Sequence, residues 1–165
     1  MAGGCWFERK YGVDGWLRSG SIDQDSHGLD FGRGRLFLYL NWHREVKVAR
    51  ILIIEDDESV LMVLRDTLKF FGHEIVSARD GEEGVRLFRE EQSDIVITDL
   101  HMPKKTGLEV ICELRQDYPD LGIIVCTGHD PSVLDEATEA GAQHVFKKPF
   151  HLPDIQTAIN SLLEG

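Results

Sequence analysis

Acidic, hydroxyl and basic side chains close four apolar runs of this chain. Glu55-Asp56-Asp57 end the run that starts ARILIIE (49–55), Asp99 ends DIVITD (94–99), Thr127 ends GIIVCT (122–127), and Lys148 ends HVFKK (144–148), with Pro149 next. Carboxylates gathered at one edge repel, and one takes up a proton unless a cation joins them. All-oxygen donors with few protein ligands suit Mg²⁺, which keeps several waters and takes one or two carboxylates plus phosphate oxygens. A carboxylate beside that ion is able to attack a phosphoryl group and form an acyl phosphate. The metal neutralises the transferring oxygens, and a lysine and a hydroxyl hold those left over. Asp99, at the tip of a central strand, is the best-placed nucleophile.

The elements that must position these groups alternate from residue 48 on. ARILIIE reads as a β-branched strand. Val60, Leu61, Leu64, Leu68 and Phe71 then recur at helical spacing, and Gly72 ends that helix. HEIVSA (73–78) is a second strand and GEEGVRLFREE (81–91) a helix, weakened by Gly84 in its interior. DIVITD is the third strand. Gly107 to Gln116 is a helix burying Leu108, Ile111 and Leu114, and GIIVCT is the fourth strand. Pro131 suits the first turn of a helix reaching about Ala140, where Gly141 stops it. HVFKK is the fifth strand, and Leu152, Ile155, Ile159 and Leu162 mark a last helix. Strand–helix units in sequence predict an α/β fold, a parallel sheet covered on both faces. Ligands bind such sheets outside the carboxyl ends of the strands, at the topological switch point, where the polar groups stand.

ILIIEDDE, ITDLHMP with Gly107 following, VCTG and KKPF, in this order and spacing, resemble the receiver domain of two-component response regulators. The resemblance covers residues 48–165. It implies a doubly wound, five-stranded, flavodoxin-like (βα)5 sheet of strand order 2-1-3-4-5. It also implies that Asp56 contacts Mg²⁺ directly and Glu55 through water, and that Asp99 is both phosphoacceptor and ligand. The backbone carbonyl of His101 completes the metal set, Thr127 is the switch hydroxyl, and Lys148 pairs with the phosphoryl group before a cis Lys148–Pro149 bond. The implied partners are a histidine kinase or histidine phosphotransfer protein and a downstream protein target. A homodimer through the fourth helix, fifth strand and fifth helix is a further option. Such a module is not an enzyme with external turnover, although it assists its own phosphorylation and dephosphorylation.

Two features depart from that pattern. The family usually has Tyr, Phe or His three residues before the lysine; here Val145 stands there, and neighbouring Phe146 and His144 should face the other side of the sheet. His101 and His129 occupy the places two after Asp99 and two after Thr127, which in the family influence the lifetime of the acyl phosphate. Two other readings are weaker. An aspartyl-phosphate phosphohydrolase needs a second aspartate two residues after the nucleophile, where this chain has His101. A receiver-like scaffold that is never phosphorylated fits Val145 but not the full set of Glu55, Asp56, Asp99, Thr127 and Lys148.

The net charge of −11 argues against nucleic acid or an anionic membrane as a direct partner. No apolar stretch is long enough to span a bilayer, and no secretory leader is evident, so a cytoplasmic location is expected. Cys5, Cys112 and Cys126 stand at no metal-ligand spacing and read as reduced thiols, Cys112 and Cys126 as packed small hydrophobes. Asp57 and Glu58 read as a helix start, Lys104 and Lys105 as a solvated loop, and Lys147 as an exposed neighbour of Lys148. Residues 1–47 form an irregular extension with seven Lys/Arg and six Asp/Glu, whereas 48–165 hold 11 and 23. The extension is expected to be a disordered arm or untranslated leader read as protein. Arg44-Glu45-Val46-Lys47 can be encoded by a purine-rich ribosome-binding sequence, with Val48 as a GTG start. Asp30-Phe31-Gly32 is taken as chance, and LFLYL (36–40) as an extra strand or a sticky tail. Nothing after Leu163 suggests an output domain, so action through other proteins is expected.

Overall fold

The structure, a computed structural model, describes residues 47–128 and 131–164, with the backbone alone at 131–133. The expectations for residues 1–46 (the extension, Asp30-Phe31-Gly32 and LFLYL) and for His129 lie outside the described residues. β-Branched runs form the strands β1 (Arg50–Ile54), β2 (Glu74–Ala78), β3 (Ile95–Thr98), β4 (Gly122–Thr127) and β5 (His144–Lys147). Between and after them lie α1 (Glu58–Phe70), α2 (Gly81–Glu90), α3 (Gly107–Asp117), α4 (Pro131–Glu139) and α5 (Leu152–Glu164). Most helix starts have a chemical cause. Asp57 caps α1 by accepting from the Ser59 and Val60 amides, Asp80 caps α2, and Thr106 with Glu109 forms a capping box on α3.

All strand pairs are parallel and the sheet order is β2-β1-β3-β4-β5. Side chains alternate between its faces. Leu52, Ile54, Val96, Ile123 and Val125 pack with Phe88 of α2, Ile111 of α3 and Ala137 of α4. Ile51, Ile53, Ile95, Ile97, Ile124 and Cys126 pack with Leu64 of α1 and Ile159 of α5. The three inner strands, β1, β3 and β4, are buried on both sides, which is why they read as continuous apolar runs, whereas the edge strands β2 and β5 are partly exposed. The chain leaves β1 toward β2 on one side and β3 lies on the other, so the switch point falls between the carboxyl ends of β1 and β3.

Of the apolar positions expected to pack, Leu108 is only half-buried, Val110 taking the buried place on α3, and two more are exposed. Phe71 is the C-cap residue of α1 and is 37% exposed, because the helix has ended before its side chain returns to the core face. Cys112 is exposed, because α3 turns Val110, Ile111 and Leu114 inward and residue 112 is rotated away from them. Gly84 has a packing reason that offsets its low propensity: a Cβ there would lie 2.4 Å from Ile54 Cδ1, so α2 sits close on the sheet.

His73 ties α5 to the start of β1. It is buried; its Nδ1 accepts from the Ala49 amide at 3.3 Å, and Nε2 faces the Gln156 side-chain amide at 3.0 and 3.3 Å. Burial holds its pKa below the ordinary 6.5, against a smaller opposing effect of Gln156. Above that value the ring is neutral in both states and its contribution to stability is complete. As the pH falls below 6.5, the unfolded chain takes up a proton that the folded chain refuses, and stability declines toward the lower folded-state value. Urea midpoints are therefore expected to fall more steeply on acidification in the native chain than in His73→Gln. Equal slopes would remove His73 as the cause.

Candidate functional site

The groups at the switch point are set by backbone bonds that continue the sheet beyond its strands. The Glu55 amide donates to the Ala78 carbonyl at 3.1 Å, and the Asp99 amide to the Ile54 carbonyl at 3.1 Å. These bonds bring the ends of β2, β1 and β3 level. The Lys148 amide donates to the Thr127 carbonyl at 2.8 Å, and the Lys148–Pro149 bond is cis. The lysine is thereby fixed next to the end of β4.

Oxygen atoms of Glu55, Asp56 and Asp99 lie within 4.8 Å of one another, with Glu55 and Asp99 buried and Asp56 exposed. Lys148 Nζ donates to Glu55 Oε1 at 2.9 Å, to Glu55 Oε2 at 2.7 Å and to Asp99 Oδ2 at 2.6 Å. The other Asp99 oxygen, Oδ1, accepts from the Leu100 amide at 2.5 Å and the His101 amide at 3.3 Å. Its carboxylate is thus gripped from two sides and cannot turn freely. Burial pushes the Glu55 carboxyl above its ordinary range, and the Lys148 bond and charge offset this in part. Burial alone would lower the Lys148 ammonium, but its bonds to Asp99 and Glu55 outweigh that and hold it above its ordinary value.

Thr127 is fully buried and faces the same side of the sheet as Val125 and Val145. Its Oγ1 has no hydrogen-bond partner among the described residues. A buried hydroxyl without a partner is costly, so it marks a place where a polar oxygen belongs. Phe146 pairs in register with Cys126 and packs on the opposite face, as the alternation in β5 requires. Val145 is the half-buried residue on the Thr127 side. Cys126 is a core thiol whose pKa burial pushes up to about 12.

Asp57 belongs to the helix start, and hydrogen bonds from the Ser59 and Val60 amides lower its pKa. Lys147 is exposed. Lys104 is exposed, as a solvated loop requires, and also pairs with Asp80 at 2.6 Å. Lys105 is half-buried and pairs with Glu113 in the middle of α3. Asp80 is legible as a cap from its place before a helix, but its second partner is not.

Formally, three carboxylates against one ammonium leave a charge of −2, which a divalent cation would neutralise. The donors are hard oxygens, as Mg²⁺ requires. Glu55, Asp56 and Asp99 therefore fit that ion, and the Thr127 hydroxyl, unpartnered among the described residues, fits a phosphoryl oxygen beside it.

The family model for the response regulator receiver domain matches residues 51–160. The chain belongs to this family. Among its curated relatives, the response regulator MprA of Mycolicibacterium vanbaalenii is 38% identical over 117 residues, which are 70% of this chain and 50% of that protein. The receiver chain thus spans about half the length of the curated relatives it matches. Among solved structures, a receiver domain protein of Clostridium thermocellum superposes with a TM-score of 0.68 at 33% identity, covering 71% of this chain and 95% of that one. The response regulator TrrA of Thermotoga maritima, solved in complex with Mg²⁺-BeF, gives 0.64 at 32% identity over 68% of this chain and 97% of its own. The strand order expected for the receiver is the one observed. Among the described residues, no helix is long and apolar enough to cross a membrane.

Proposed function

We propose that this receiver accepts a phosphoryl group on Asp99 from a histidine kinase or histidine phosphotransfer protein, and then acts through a protein target. The observation that carries this reading is the convergence of Glu55, Asp56 and Asp99, two of them bonded to the Lys148 ammonium, with the Thr127 hydroxyl buried at the end of β4 and unpartnered among the described residues. Asp56, Asp99 and the His101 carbonyl would hold Mg²⁺ directly and Glu55 through water. When bound, that ion neutralises charge on the transferring oxygens.

The residues of the chain do the rest. The bond from Lys148 and the bonds from the Leu100 and His101 amides fix the Asp99 carboxylate for in-line attack. A carboxylate oxygen bonds to phosphorus as the phosphorus–nitrogen bond of the donor imidazole breaks. The electron pair leaves with that nitrogen, which takes up a proton. Lys148 then turns part of its hydrogen bonding from Glu55 to the new phosphoryl oxygens, and Thr127 donates to another. With Val145 in the usual aromatic place, the response passes through Thr127 and the segment leading into α4. Attack of water on phosphorus then breaks the acyl–phosphate P–O bond, which restores the Asp99 carboxylate and releases inorganic phosphate.

The test is intact mass after incubation with Mg²⁺ and acetyl phosphate. The full chain is expected to gain one phosphoryl mass, and Asp99→Asn none. Chelation of the metal should abolish the gain. An unmodified wild-type chain, or a modified Asp99→Asn, would end this reading.

A further inference from the structure

The loop from Asp99 to Gly107 carries the amides that hold Asp99, and its own fastening lies away from the site. The Gly107 amide donates to the Leu100 carbonyl at 3.0 Å, which closes the loop on itself. At its far turn Lys104 adopts φ +67°, a left-handed conformation that side-chain-bearing residues rarely take and glycine takes freely. Lys104 Nζ donates to Asp80 Oδ2 at 2.6 Å, while Oδ1 of the same carboxylate accepts from the Glu83 amide at 2.9 Å. Asp80 is 8% exposed. One side chain therefore caps α2 and grips the loop. The next residues along both segments also touch. A Cβ added to Gly81 would lie 2.4 Å from the Lys105 carbonyl oxygen, so the start of α2 and the loop meet backbone to backbone.

We propose that Asp80 and Lys104 are positioning residues of the phosphoacceptor site. Their ion pair holds the β3–α3 loop against the start of α2, in the setting where the Leu100 and His101 amides face the Asp99 carboxylate. A lysine at a position whose backbone suits glycine is explained by this work of its side chain. The proposal rests on the reading of Asp99 as phosphoacceptor and of the His101 carbonyl as a ligand.

The experiment uses the full chain and four variants. Lys104→Gly removes the cation while suiting the backbone. Asp80→Asn keeps a capping oxygen and removes the charge. The double variant tests coupling, and Lys104→Arg restores the cation. Three quantities are read: the Mg²⁺ dissociation constant by calorimetry without phosphodonor, the phosphorylation rate with acetyl phosphate, and the thermal midpoint. Each single variant is expected to weaken Mg²⁺ binding and slow phosphorylation by about threefold, in keeping with a partly exposed pair. The double variant should be no worse than either single, since the two act as one unit. Lys104→Arg should match the native chain, and Lys104→Gly should keep its thermal midpoint.

Native values of Mg²⁺ affinity and rate in both single variants would overturn the inference and leave the phosphoacceptor reading intact. So would a loss that tracks a lowered midpoint, since that would be a structural role only. A native chain that binds no Mg²⁺ and takes no phosphoryl group would overturn both.

Discussion

Lys148→Ala is expected to destabilise the protein by about 3 kcal/mol at neutral pH and to abolish phosphorylation on Asp99, because truncating one partner of a buried ion pair strands the other. The Lys148 side chain is 20% exposed and its ammonium bridges the Glu55 and Asp99 side chains, which are 2% and 11% exposed. Its removal leaves two buried carboxylates facing each other with no cation between them. The pH dependence has a definite sign. Glu55 already has a raised folded-state pKa, chiefly through burial, so its ionisation opposes folding as the pH rises past 4.5. The Lys148 contribution works the other way. Its raised pKa means that its stabilisation is complete below the ordinary 10.5 and fades only as the pH rises through the folded-state value. The deficit of the variant should therefore be smaller at about pH 4, where Glu55, its carboxyl raised by burial, is mostly protonated, and full by about pH 7. Added Mg²⁺ should raise the midpoint of the variant more than that of the native chain, since the ion no longer competes with an ammonium. Urea unfolding at both pH values, with and without Mg²⁺, measures this. A variant as stable as the native chain at pH 7 would mean that the bridge contributes little.

The second large effect is expected at Gly107, which has no chemistry of its own. A Cβ built there would lie 2.0 Å from the Asp99 carbonyl oxygen, 2.8 Å from Leu100 Cα and 2.9 Å from the Asp99 carbonyl carbon. All three are backbone atoms beside the carboxylate proposed as phosphoacceptor, so no side-chain rotation relieves the clash. Gly107→Ala is expected to cost about 3 kcal/mol, at the upper end for overpacking. It should also weaken Mg²⁺ binding by tenfold or more, because displacement of Asp99 by a fraction of an ångström spoils its alignment. Gly84→Ala is the useful contrast. There the nearest atom is the end of the Ile54 side chain, 2.4 Å away, and part of the overlap is recovered through helix propensity. If Gly107→Ala proved no more harmful than Gly84→Ala, the backbone contact would not be the reason for the glycine.

These two positions mark what was readable and what was not. Lys148 stands at the end of an apolar run, and its type and place in the order of motifs announce it. Gly107 is readable as part of a motif, yet the contact that demands it joins α3 to the end of β3 and exists only after folding. Cys112 and Phe71 show the reverse error. Each is apolar and near a helical repeat, but burial depends on which face of the helix the sheet covers and on where the helix stops. Lys104 is exposed as its sequence suggests, but its pairing with Asp80 is not readable there, because the two lie 24 residues apart.

By itself the sequence determined the alternation of strands and helices, since the period of apolar residues is a local property. It also determined which residues end each strand, and hence the list of groups available for chemistry. The tertiary structure decided how those groups are held. It decided that Lys148 bridges Glu55 and Asp99, that Thr127 is buried without a partner among the described residues, and that Asp80 both caps α2 and grips the loop after β3. The physical reason is that side-chain periodicity is written into neighbouring residues, whereas a hydrogen bond or ion pair between distant segments depends on the packing that brings them within about 3 Å.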